Sequence, residues 1–166
     1  MSSLYYLNVT VHVLAALVWL GGMFFVGLVG APLFRAIEPP ALRQRLFNEL
    51  GVRFRTVGWI CIGLLVVTGI GNMQLRGLLT WETVLGSSAF WKTTLGYALA
   101  VKLAAVVTMI AVSALHDFWL GPAAGRIEAG TPAALALRRR AAMLARINAA
   151  VGVVVVIAAV RLVRGG

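Results

Sequence analysis

The chain has 166 residues, of which 61% are hydrophobic and 12% charged, with a mean hydropathy of +0.93. That is too little polar surface to coat a soluble domain of this length, which excludes a water-soluble enzyme and indicates an integral membrane protein. The net charge of +10 implies no nucleic-acid partner, because the basic residues gather at the ends of apolar segments and fit contact with anionic lipid.

Four segments reach the roughly 20 apolar residues that a spanning helix needs, at about 4–30, 56–75, 90–118 and 139–163. The connections are too short for a second domain, so residues 1–166 read as one transmembrane domain, an all-α four-helix bundle. The first segment lacks the basic n-region and small-residue cleavage site of a secretory signal, and is too long for an h-region. It is therefore expected to stay in the mature protein.

Within the first segment His12 is a polar residue placed at a cost. It lies about 10 Å below the outer end and shares a face with Ala16, Trp19 and Met23 at i+4, i+7 and i+11. Inside a membrane helix such a residue points to a ligand or proton site, against the plainer alternative of a hydrogen-bonded structural histidine. Glu38-Pro39-Pro40 then breaks the chain. Over 41–54, Leu42, Leu46, Phe47, Leu50 and Phe54 fall on one side with arginines elsewhere, the pattern of an interfacial amphipathic helix leading into the second span.

The lone Cys61 of the second span allows no internal disulfide and reads as a small buried hydrophobe. Near the outer end, Asn72 is an amide suited to joining neighbouring helices, and Met73 is a thioether near the depth of His12 that suits Cu(I). A short outer loop over 77–90 follows.

Lys102 stands alone in the otherwise apolar third span. An ammonium near the bilayer centre costs roughly 2.5–3.5 kcal/mol on insertion scales, so it is expected to serve a ligand, an ion path or a counter-charge. Met109 and His116 follow it at i+7 and i+14 on one stripe. His116 with Asp117 is either a solvated interfacial pair or a functional one. His12 and His116 should lie roughly 25–30 Å apart, which excludes their binding one metal or one haem iron together. Thr131-Pro132 reads as an N-cap with proline at the first helical position, so the fourth helix begins well before its apolar part, and Asn148 in its inner half is a second helix-joining amide.

Ten arginines flank the first and third connections (Arg35, Arg43, Arg45, Arg53, Arg55, Arg126, Arg138, Arg139, Arg140, Arg146), and the other side holds Arg76, Lys92, Arg161 and Arg164. The positive-inside rule then puts both connections in the cytoplasm and both termini in the periplasm of a bacterial inner membrane. Trp59, Trp119, Trp81, Trp91, Tyr5 and Tyr6 fall where an aromatic belt is expected. Gly30-Ala31-Pro32 through Glu38 resembles Gly121-Pro122 through Glu128, which is either chance similarity in Ala-, Gly- and Pro-rich sequence or a parallel repeat that makes His12 and Lys102 equivalent in depth and able to face each other.

The pattern His12-x6-Trp19-x-Gly21-Gly22, then Thr68-Gly69, then Lys102, then Leu115-His116-Asp117-Phe118-x2-Gly121-Pro122 resembles the CopD family of bacterial copper-handling membrane proteins in a four-helix form. The resemblance implies copper resistance or copper movement between periplasm and cytoplasm, which fits a binding or transport protein better than an enzyme. A periplasmic copper carrier and an oligomer are the partners such a role allows. The same His12, Thr68-Gly69 and Lys102 also resemble HemJ-type protoporphyrinogen oxidases, which bind haem b. Arg146-Ile147-Asn148 partly matches that family's fourth helix, but Ala149-Ala150 replace the acidic residue and proline expected after the asparagine.

Three readings follow. In a copper protein, His12, Met73 and His116 are the candidate metal ligands. In a haem b protein, His12, Trp19, Lys102 and Asn72 are the candidate cofactor contacts, with Lys102 meeting a propionate. In a non-catalytic membrane subunit, small-residue faces such as Ala100-x3-Ala104 and Ala145-x3-Ala149 do the packing.

Overall fold

Hydroxyl caps fix three helix starts. Ser2 Oγ accepts from Tyr5 N at 3.4 Å, Thr93 Oγ1 from Gly96 N at 3.0 Å, and Thr131 Oγ1 from Ala134 N at 3.3 Å, each satisfying an amide the first turn leaves unpaired. A computed structural model describes residues 2–127 and 131–164, and it contains four long helices. They are α1 (Ser3–Arg35), α2 (Pro40–Leu75), α3 (94–126) and α4 (Pro132–Val163), each long and apolar enough to cross a membrane. With every backbone bond made inside its own segment, helices are one of the few forms that hydrocarbon tolerates. Side chains such as Leu17, Val67, Val107 and Val163 stand outward, as a lipid-facing surface requires.

Both descending helices widen at the same place. In α1, Val26–Gly30 is a π-turn closed by Ala31 N–H on Val26 O; in α3, Leu115–Leu120 is a π-turn closed by Gly121 N–H on His116 O. The residue after each closing amide is a proline, Pro32 or Pro122, which has no N–H and whose ring collides with the carbonyl four residues back in a regular helix. Widening the turn just before the ring relieves that collision. The paired π-turns give the repeat a structural counterpart, although its Glu128 lies outside the described residues. The tightest helix pairs, α1 with α2 and α3 with α4, match two hairpins, and α1 also packs along α4.

Three sequence expectations change. The segment 41–54 is no separate interfacial helix: α2 runs unbroken from Pro40 to Leu75. No proline interrupts it after Pro40, and beyond the exposed Leu42 its apolar side meets α1. Phe47 packs edge-on against Phe34 with ring centroids 5.1 Å apart. Phe54 occupies the space a Cβ on Gly22 would need, and Leu50 Cδ2 lies 3.8 Å from the Cβ position of Gly30. The first span is longer than 4–30, continuing through its π-turn to Arg35. The third starts at Thr94 and not at residue 90, because Thr93 caps it and Phe90–Lys92 forms a separate 3₁₀ turn.

At the end that carries the termini, α2 stops in a Schellman turn. Gly77 has φ +68°, Gly77 N bonds Gln74 O at 3.0 Å and Leu78 N bonds Met73 O at 2.9 Å. The 3₁₀ turn then lies directly on α3, so a Cβ on Gly96 would collide with the Phe90 carbonyl oxygen and the Trp91 backbone. Gly96→Ala is accordingly expected to cost about 1–3 kcal/mol, since neither backbone can give way as a side chain can. Thermal unfolding in detergent checks this, and an unchanged midpoint would mean that the 3₁₀ turn is not held against α3.

Candidate intramembrane polar site

Three tiers of inward residues lie seven positions apart along α1, α2 and α3, about 10 Å per step. Nearest the termini are His12, Thr68 and Lys102; at mid-height are Trp19, Cys61 and Met109; toward the arginine-rich end are Phe54 and His116. The middle tier is a dry core in which Ala15, Trp19, Cys61, Ile62 and Met109 form one buried cluster, with Met23 packed against it. Gly58 and Gly152 lie against the indole of Trp19 and let α2 and α4 close on it.

The upper tier is polar. Thr68 Oγ1 donates back to the Leu64 carbonyl one turn earlier, which uses its only hydrogen. Its 2.7 Å bond to His12 Nδ1 must therefore run the other way, with the imidazole donating. That fixes the tautomer: Nδ1 carries the proton, and Nε2 keeps a free electron pair. A metal-ligating histidine is set up in this way, by a partner on its other ring nitrogen. Gly69 makes room for it, since a Cβ there would sit 3.6 Å from His12 Cε1. Thr68-Gly69 thus has a local physical meaning, the first residue orienting the imidazole and the second making space.

One turn nearer the termini, Asn8 Nδ2 donates to Asn72 Oδ1 and to the Thr68 carbonyl, both at 2.9 Å. Asn8 also occupies the space beside Gly71, whose Cβ position is 3.0 Å from Asn8 Oδ1. Asn8 went unnoticed in the sequence because an asparagine two turns into a helix carries no signal until its partner is known. Asn72 joins helices as expected.

Lys102 lies within electrostatic range of His12, and Arg76 lies within range of Lys102. Among the described residues no ion pair or hydrogen bond engages the Lys102 ammonium. Trp19 stands in the packed core a tier below and does not line the polar site. Met73 is not brought to His12. Thr68 and Asn72 form the α2 face that meets α1, while Met73 packs against the Ala98, Leu99 and Leu162 cluster of α3 and α4. No three His, Cys, Asp or Glu side chains group to hold a metal ion among the described residues.

At the arginine-rich end, inside the π-turn of α3, His116 Nδ1 meets Asp117 Oδ1 at 2.8 Å. Trp59 Nε1 donates to Asp117 Oδ2 at 3.0 Å, and Arg55 donates to the Asp117 carbonyl at 3.2 Å. Between the tiers Asn148 Nδ2 donates to Ser113 Oγ at 2.8 Å, which ties α4 to α3, and Asn148 Oδ1 is buried without a partner.

Four long apolar helices packed as a bundle, with a histidine bonded to Thr68 and a lysine that no ion pair engages among the described residues, define a multi-pass membrane protein. The family described as "Copper resistance protein D" (CopD) matches residues 49–162, most of the chain, and the protein belongs to that family. It is a membrane protein of the copper-resistance type. An uncharacterized protein of Aquifex aeolicus (strain VF5) is 33% identical over 111 residues, which span 66% of this chain and 66% of that relative, just under two thirds of its length. No solved structure matches the chain significantly.

Proposed function

We propose that the protein binds copper at His12, near the surface bearing the termini, and passes it across a bacterial inner membrane. Copper is cargo here, taken up by Nε2 of an imidazole that Thr68 holds in the ligating tautomer. The 2.7 Å bond between His12 Nδ1 and Thr68 Oγ1 is the observation that carries the reading, and membership of the copper-resistance family supplies the choice of metal. The placement of the arginines makes the His12 end periplasmic by the positive-inside rule. Lys102 then discourages a cation from settling at His12, as a transfer site requires, because tight binding would stop passage.

A second reading is favoured by one observation. Lys102 lies near the His12 imidazole and Arg76 near Lys102, neither with a carboxylate partner among the described residues, and haem b carries two propionates beside an iron that takes a histidine ligand. In that reading His12 would hold the iron, and Lys102 and Arg76 the propionates. Haem would supply redox chemistry, while the chain's own part would be to bind, orient and keep water out.

An absorption spectrum and metal analysis of the protein purified from copper-supplemented cells separate the two. Copper is expected at about stoichiometric level without a Soret band. A strong Soret band with no copper would replace the copper reading by the haem one.

A further inference from the structure

Asn148 of α4 and Ser113 of α3 are deeply buried, 5% and 6% exposed, and the bond from Asn148 Nδ2 to Ser113 Oγ joins them at 2.8 Å. That bond is enough to tie the two helices, and it leaves two groups over. Asn148 Oδ1 has no partner, and among the described residues the Ser113 hydroxyl hydrogen meets no acceptor. Turning the amide over does not help. Oδ1 would then accept from Ser113, and Nδ2 would be the atom left without a partner. An unpaired amide atom inside hydrocarbon is costly, and an apolar side chain could fill the same space without that cost.

Two helices independently give the level of the pair. Met109 belongs to the dry middle tier, and Ser113 lies four residues beyond it, about 6 Å nearer the arginine-rich end. On α4, Gly152 lies against the Trp19 indole of that same tier, and Asn148 is one turn beyond Gly152 in the same direction. The pair therefore sits directly beneath the dry tier. His116 follows Ser113 by three residues on the same side of α3, and its side chain is 34% exposed, so polar groups continue from the pair to the surface.

We propose that Asn148 and Ser113 hold a buried water molecule and form the inner polar step of the passage through the bundle. Water both donates and accepts, so it satisfies the leftover amide atom in either orientation, and the Ser113 hydroxyl is its second partner. The packed layer of Ala15, Trp19, Cys61, Ile62 and Met109 then has polar groups on both sides, His12 with Thr68 above and the hydrated pair below. An ion that leaves the upper site crosses this one dry layer before it meets water and an amide again. The role in passage rests on the copper-transfer reading above; the water site does not.

Two measurements on the full-length protein test this. The first is water-edited solid-state NMR of protein labelled with 15N-asparagine in bilayers, with the Asn148 side-chain signal assigned by its loss in Asn148→Leu. Early magnetisation transfer from water to that amide is expected, as for the exposed Asn48; its absence in the parent protein overturns the water site. The second compares Asn148→Leu and Ser113→Ala with the parent in copper uptake, in copper content at the upper site and in thermal unfolding in detergent. Both variants should unfold no earlier than the parent, because Asn148→Leu removes the leftover amide atom and Ser113→Ala the hydroxyl without an acceptor. Copper content should be unchanged, since the pair lies below the dry tier, and uptake should fall about tenfold, the effect of one lost partner for a buried polar passenger. Earlier unfolding with undiminished uptake would make the pair a helix joint alone and overturn the step. A parent protein that takes up no copper fails the transfer reading and with it the role in passage, while NMR decides the water site by itself.

Discussion

His12→Ala is expected to abolish copper uptake through the protein and to lower copper binding at the upper site at least tenfold, while the bundle still inserts. The imidazole Nε2 is the only ligand the structure prepares there, so its removal leaves an amide pair and a cation with no affinity for the metal. The cost to stability is small, about 0.6 kcal/mol for one interhelical hydrogen bond in a membrane. Thr68→Val is the companion variant. It keeps the imidazole but removes the acceptor that fixes its tautomer, and losing such an outer partner typically weakens metal binding about 10–100-fold. Met73→Ala should change little, because Met73 is turned into the α3–α4 cluster. Cellular copper accumulation and copper content of the purified variants provide the measurements. Full uptake by His12→Ala would remove the upper site from the mechanism.

Lys102→Met separates binding from passage. Methionine has a similar length without the charge, so the insertion penalty of roughly 2.5–3.5 kcal/mol is relieved and the variant should be at least as stable as the parent. A cation at His12 loses a repulsion of about 1–2 kcal/mol at the effective dielectric of such a site, so copper should bind about five- to thirtyfold more tightly. Passage should stop, because the ion is no longer discouraged from remaining. The haem reading gives the opposite sign, since loss of a propionate partner weakens cofactor retention. Copper content, haem content and uptake measured on one variant therefore distinguish the two functions. Unaltered uptake with unaltered affinity would reduce Lys102 to a tolerated charge.

Much of this architecture is legible along the chain because the free energies that determine it are nearly one-dimensional. Transfer of apolar residues into hydrocarbon adds up residue by residue, which sets the spanning segments and the class of protein. The caps at Thr131-Pro132 and the break at Glu38-Pro39-Pro40 are local, and both are where the residues predict. The isolated cost of Lys102 and His12 within apolar runs needs no partner to be noticed. Where the reading went astray, a side chain's surroundings were inferred from its own helix alone. The apolar side of 41–54 has the same pattern whether it faces lipid headgroups or another helix, and Phe34, Gly22 and Gly30 of α1 settle which. Likewise Met73 shares the depth of His12, but one residue along a helix is a turn of about 100°, enough to direct it to α3 and α4 while Asn72 meets α1.

The sequence by itself determined the membrane class, the four-helix plan, the family resemblance, and the two costly polar residues at matching depth. Only the tertiary structure decided which nitrogen of His12 is free, that Asn8 completes the amide pair with Asn72, that Trp19 is core, and that Trp59 from another helix secures Asp117. The physical reason lies in the range of the interactions. Transfer free energies belong to single residues and can be summed from a list, whereas a hydrogen bond exists only when two helices present matching faces within about 3 Å of each other. Those faces are set by where small residues such as Gly69 and Gly152 let the helices approach.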